Sequence, residues 1–127
     1  MKLLIVDDSL SIRRKVQRCA EASYQNISIV TASDGQQAIE MFKQEMPDVV
    51  TMDLTMPNVG GVECIKELVD IKPDVHILVV SALSDKVTAL TAIKNGAEGF
   101  LKKPFTDGEM HVALNELLSM EEGQHGH

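Results

Sequence analysis

Short apolar runs recur along the chain at Leu3-Leu4-Ile5-Val6, Ile27-Ser28-Ile29-Val30, Val49-Val50-Thr51-Met52 and Ile77-Leu78-Val79-Val80, with a weaker fifth at Gly99-Phe100-Leu101. Most are rich in β-branched residues and nearly continuous, as in strands covered on both faces of a parallel sheet. Between them the apolar positions switch to the helical period. Ile12, Val16, Cys19 and Ala20 form one stripe, and Ala38, Ile39 and Phe42 a second. Val62, Ile65 and Val69 form a third, and Val87, Leu90 and Ile93 a fourth. Met110, Ala113, Leu114, Leu117 and Leu118 make the cleanest, spaced i, i+3, i+4, i+7, i+8. Thr106-x-x-Glu109 and Ser33-x-x-Gln36 read as capping boxes, Ser84 as an N-cap and Gly96 as the residue just past a helix C-terminus.

Five strands alternating with five helices predict an α/β fold, a doubly wound parallel sheet with helices on both faces. The domain is expected over residues 1–120. A polar, Gly-containing tail at 121–127 follows, and fraying is expected from Ser119 onward. In such sheets ligands and chemistry gather at the carboxyl ends of the strands, where strand order reverses.

Composition narrows the function. The 127 residues suit one domain, and 12 Lys+Arg against 19 Asp+Glu give a net charge of −7. That balance disfavours non-specific binding to nucleic acid or to anionic membranes. Aromatics at 3%, with no Trp, argue against a base-stacking platform. The leading apolar run ends in two acids and is too short for a signal peptide or a membrane span, so a soluble cytoplasmic protein is expected. Cys19 and Cys64 are no disulfide framework. His76 and His111 show no metal spacing, and the terminal His125-Gly-His127 and Glu121-Glu122 read as solvated tail. Asp48 and Asp74 precede strands, at the opposite end of the sheet, and read as surface acids.

The residues that follow the strands are unusual as a set. Strand one ends in Asp7-Asp8, strand three in Asp53 and strand four in Ser81, and strand five leads into Lys103-Pro104. One such acid is easily explained as a helix cap; all five positions together are not. Two carboxylates about 4 Å apart repel by roughly 4 kcal/mol at an effective dielectric near 20. A cluster of three therefore calls for a cation or for protonation. Oxygen-only ligands suit Mg²⁺, and the lack of His or Cys at these positions argues against zinc. Beside such a cation a carboxylate can attack a phosphoryl group in line. Asp53, on a middle strand, is the best nucleophile. Lys103 supplies a fixed positive charge, and Ser81 a hydrogen bond to a phosphoryl oxygen.

These residues resemble a known family. Val6-Asp7-Asp8-Ser9 with Arg13 beyond, Met52-Asp53-Leu54-Thr55-Met56-Pro57 followed by Gly60-Gly61, Ser81-Ala82 and Lys103-Pro104-Phe105 are similar to the receiver domain of two-component response regulators, closest to its stand-alone, chemotaxis-type (CheY-like) members. The likeness covers about residues 2 to 118. It implies a flavodoxin-like strand order of 2-1-3-4-5, with helices one and three on opposite faces, so that Cys19 and Cys64 stay unbridged. It also implies that Asp53 takes a phosphoryl group from the phospho-His of a sensor histidine kinase. Mg²⁺ would be held by Asp8, Asp53 and the backbone carbonyl of Thr55, with Asp7 acting largely through coordinated water. Lys103 would contact the phosphoryl group and precede a cis proline, and Ser81 and Phe100 would be the switch residues.

The implied protein is not an enzyme but a switch without an output domain of its own. Its fourth helix, fifth strand and fifth helix would meet a downstream target, a flagellar motor component or another output protein, around Lys94, Phe100 and Lys102. It would be monomeric or weakly dimeric on phosphorylation. The departures from the pattern are Ser81 for the commoner Thr and Phe100 for the Tyr of the best-known members, while Thr55 and Leu83 occupy positions that tune dephosphorylation. A phosphorelay intermediate shares all of this chemistry. An aspartyl-phosphate phosphatase fits less well, because Thr55 stands where such enzymes carry a second Asp. A flavin binder would face repulsion between Asp7-Asp8 and the flavin phosphate.

Overall fold

The computed structural model describes residues 1–55, 59–82 and 86–125. The expected Ser84 cap, Met56-Pro57, Leu83 and His127 lie outside the described residues, as do the side chains of Glu121, Glu122 and His125. The elements in chain order are β1 (Lys2–Val6), α1 (Leu10–Ser23), β2 (Ser28–Ala32), α2 (Gly35–Glu45), β3 (Val49–Met52), α3 (Gly61–Ile71), β4 (His76–Ser81), α4 (Lys86–Lys94), β5 (Ala97–Lys102) and α5 (Asp107–His125). The sheet is parallel throughout with strand order β2-β1-β3-β4-β5, as the resemblance implied. Order reverses between β1 and β3, which sets Asp7-Asp8 beside Asp53.

Strand side chains alternate between two apolar layers. Leu4, Val6, Val50, Met52, Ile77 and Val79 pack with Ala38 and Phe42 of α2, Cys64, Ile65 and Leu68 of α3 and Ala92 of α4. Leu3, Ile5, Val49, Leu78 and Val80 pack on the other face with Val16 and Ala20 of α1 and Met110, Leu114, Leu117 and Leu118 of α5. The expectation of full burial holds for β3 and β4 and for all but the first residue of β1. It fails for β2 and β5, which are edge strands with half-exposed residues. Cys19 and Cys64 fall in different layers, and both thiols are free.

The helices correct three sequence-based expectations. On α4 the stripe Val87, Leu90 and Ile93 points to solvent, 70%, 63% and 49% exposed, and Ala92 is the residue that seats the helix. Spacing alone identifies a stripe but not its direction, and here the small face is the buried one. On α3 the buried line is Gly61, Cys64, Ile65 and Leu68, flanked by the half-buried Val62 and Val69. On α2 the cap is Asp34, whose Oδ1 accepts from the Gln37 N–H at 2.8 Å. Ser33 stands one residue earlier, and its N–H and Oγ both donate to Gln37 Oε1. The Ser33–Gln36 box is therefore not formed: Gln36 pairs with Glu40, and Gln37 returns its bond to Ser33 and not to the cap residue Asp34.

The Thr106–Glu109 box forms as expected, with the Thr106 N–H donating to Glu109 Oε1 at 2.9 Å and the Glu109 N–H to Thr106 Oγ1 at 3.1 Å. The fifth helix continues to His125, past the expected domain boundary and through the start of the expected tail. Gly96 ends α4 at φ +121°, a conformation that only glycine adopts without strain.

Candidate functional site

The first carboxylate pair is placed by the turn from β1 into α1. Asp7 Oδ1 accepts the Ser9 N–H at 2.9 Å, and Ser9 Oγ caps α1 by accepting from Ile12 N–H at 3.3 Å. The helix cap is therefore Ser9, and neither Asp7 nor Asp8 is consumed as one. Arg13, one turn into α1, donates from Nη1 to the Asp7 carbonyl at 2.7 Å and fixes that peptide. The sequence brought Arg13 forward only as part of a motif; its reach back to Asp7 is the role it plays here.

Asp53 follows β3, and its N–H donates to the Val6 carbonyl at 3.0 Å, locking the ends of β1 and β3 together. Its Oδ1 accepts from both the N–H and the Oγ1 of Thr55, at 3.1 and 3.2 Å, which leaves Oδ2 turned toward Lys103. Beyond it Gly61 packs so tightly on Leu54 and the Asp53 carbonyl that a Cβ would collide with that backbone. Of the glycine pair in the motif, Gly61 is thus the close approach of α3 to the loop that carries Asp53, whereas Gly60 has open space around it.

Lys103 enters from the far side. Its N–H donates to the Ser81 carbonyl at 2.9 Å, and the Lys103–Pro104 peptide is cis. Its Nζ lies 2.7 Å from Asp7 Oδ2 and 3.5 Å from Asp53 Oδ2, so the closer pairing is with Asp7. Asp7, Asp53 and Ser81 are buried, whereas Asp8 and Thr55 are exposed at the mouth. Burial raises the Asp7 carboxyl above the usual aspartate value, an effect that Lys103 and the Ser9 N–H reduce but do not cancel.

Among the described residues, Asp7, Asp8 and Asp53 are the group of acids able to share an ion, each offering an oxygen within 4.8 Å of the others. Oxygen-only donors, two buried and one open to solvent, fit a hard divalent cation that keeps waters and one position for a ligand. Thus Asp7, Asp8, Asp53, Ser81 and Lys103 do converge at one end of the sheet. Phe100, in contrast, sits half-buried on β5, packed against the layer that holds α2, α3 and α4.

A doubly wound sheet with acids and one lysine at its switch point defines a class of protein, and comparison with known proteins gives the family. Residues 3–115 match the response regulator receiver domain. The chain is 38% identical over 117 residues to the chemotaxis protein CheY of Thermotoga maritima, covering 91% of this chain and 96% of that protein. It is also 38% identical over 117 residues to a probable transcriptional regulator, ycf27, of Guillardia theta, covering 92% of this chain but 45% of that protein. Among solved structures, a CheX–CheY–BeF3–Mg complex of Borrelia burgdorferi matches with a TM-score of 0.84 and 27% identity, over 94% of this chain and 88% of that one. The chain belongs to the response regulator receiver family. It therefore spans nearly all of one relative and less than half of another.

Proposed function

We propose that the chain is a phosphorylation-driven signalling switch, with Asp53 as phosphoacceptor and residues 1–120 as the working unit. The observation that carries this reading is the buried Asp53 carboxylate, oriented by Thr55 on one oxygen and faced by Lys103 on the other. In the transfer, an Asp53 oxygen forms the new O–P bond while the P–N bond to a kinase histidine breaks. The electron pair departs with the imidazole, which is neutralised by a proton. Lys103 balances negative charge on the phosphoryl oxygens, and Ser81 donates to one of them. Asp8, Asp53 and the Thr55 carbonyl would hold Mg²⁺, with Asp7 acting through a water. The ion supplies charge neutralisation at the transferring group.

The output surface on this reading is α4, β5 and α5, including Lys94, Phe100 and Lys102. The outward stripe Val87, Leu90 and Ile93 supports it, because large apolar side chains exposed together on one helix face mark interaction sites. Contacts from the phosphoryl group to Ser81 and Lys103 would bias that surface, with Phe100 as the responding ring. Similarity over 96% of a chemotaxis protein supports a role in chemotaxis, and action in the cytoplasm goes with that reading. A sensor histidine kinase is the expected donor, and a motor or other output protein the expected target.

Intact-mass spectrometry with Mg²⁺ and acetyl phosphate tests the proposal. One phosphoryl group on the wild type, absent from Asp53→Asn and lost with chelator, is the expected outcome. Turnover of many phosphates per chain, or addition to Asp53→Asn, would overturn it.

A further inference from the structure

We infer that Lys15 of α1 is a positioning residue for phosphoryl transfer, acting through the loop that presents Lys103; the inference rests on Asp53 being the phosphoacceptor. Lys15 donates from Nζ to the Phe105 carbonyl at 2.6 Å. The same ammonium sits 4.6 Å from the centroid of the Phe105 ring and 3.8 Å from Asp107 Oδ1. Phe105 is itself buried between α1 and α5. One side chain thus grips the backbone, the ring and the following helix start of a single loop.

That loop has two ends. At one, Lys103 N–H is tied to the Ser81 carbonyl of β4; at the other, two residues on, Phe105 is tied to α1 by Lys15. The same helix begins at the Ser9 cap, directly after Asp7 and Asp8, and Arg13 binds it to the Asp7 carbonyl. Lys15 therefore fixes the distance between the segment that carries two of the three acids and the segment that carries the neutralising ammonium. The Lys103 ammonium lies closer to Asp7 than to Asp53. Its share between the two depends on where the loop holds its backbone, and a charge displaced by an ångström stabilises a transferring group far less.

A bland alternative is that the Lys15 stem merely covers Phe105. The Asp107 contact is exposed and contributes little. The hydrogen bond to the carbonyl is charge-assisted, and it is the contact that an apolar stem cannot replace.

The test uses the full chain with acetyl phosphate, a donor too small to need a docking surface. Lys15→Met keeps the stem over the ring and removes the ammonium; Lys15→Arg keeps a charged donor. By analogy with supporting residues around other reactive centres, Lys15→Met should slow phosphorylation roughly tenfold. Mg²⁺ affinity, read by titration, should stay within about twofold, since none of the acids is touched. Lys15→Arg should recover most of the rate. A Lys15→Met protein that reacts at the wild-type rate overturns the inference. So does one whose loss of rate goes with an equal loss of Mg²⁺ affinity, or one whose loss Lys15→Arg leaves unrepaired. Failure of the wild type itself to acquire phosphate at Asp53 would instead overturn the function on which the inference rests.

Discussion

Asp7 and Asp48 are acids at opposite ends of the sheet with opposite environments. Burial holds the Asp7 carboxyl above the ordinary value, so folding favours its neutral form. The cost of its charge is present above that raised pKa and is relieved as pH falls through it. Asp7→Asn should therefore stabilise the metal-free protein at neutral pH, by roughly 1 kcal/mol, as seen by urea denaturation. Asp48 is the reverse. Burial alone would raise it, but the Lys2 N–H at 3.0 Å and the Lys72 ammonium at 3.0 Å hold it below the usual range. Its contribution is present above the ordinary carboxylate value and is lost as pH falls through the lowered one. Asp48→Asn should cost about 0.5–1 kcal/mol at pH 7, a difference that shrinks on acidification, because the pair is partly exposed. The sequence marked Asp48 only as a surface acid. Its partners are 24 and 46 residues away and leave no local signature.

At the scale of elements, the strands were the most legible feature, because β1, β3 and β4 are covered on both faces and so read as unbroken apolar runs. The edge strands read less clearly for the same reason. Helix α4 misled, since its larger apolar residues face outward and its seat is Ala92. Leu90→Gln should accordingly change stability by less than about 0.5 kcal/mol, whereas Phe42→Ala in α2 should cost roughly 3–5 kcal/mol in the same denaturation assay. The α3 approach to the Asp53 loop is equally specific. Gly61→Ala should destabilise by about 1–3 kcal/mol and slow phosphorylation of Asp53, because the added carbon meets backbone and not a mobile side chain. The site residues at strand ends were visible once the strands were placed. Lys15 was not, since its partner loop is 90 residues away and its spacing on α1 marks only a polar position.

For the whole molecule, the crowded acids imply linkage between the ion and folding. If the cluster holds Mg²⁺, a concentration ten times its dissociation constant should raise stability by about 1.4 kcal/mol. Asp8→Asn should abolish most of that gain in a thermal-shift titration, with little change in the metal-free midpoint, because Asp8 is exposed. The fold itself sets the two working regions apart. The acids lie beyond the carboxyl ends of the strands, and the Lys2–Asp48–Lys72 cluster lies at their amino ends. Strands of four to six residues span on the order of 13–20 Å, longer than the roughly 8 Å over which solvent-exposed charges act on one another at physiological salt. The foot of the barrel-less sheet can thus be rewritten for heat tolerance, for a reporter dye or for a surface tether while the reactive crown keeps its acid–base behaviour.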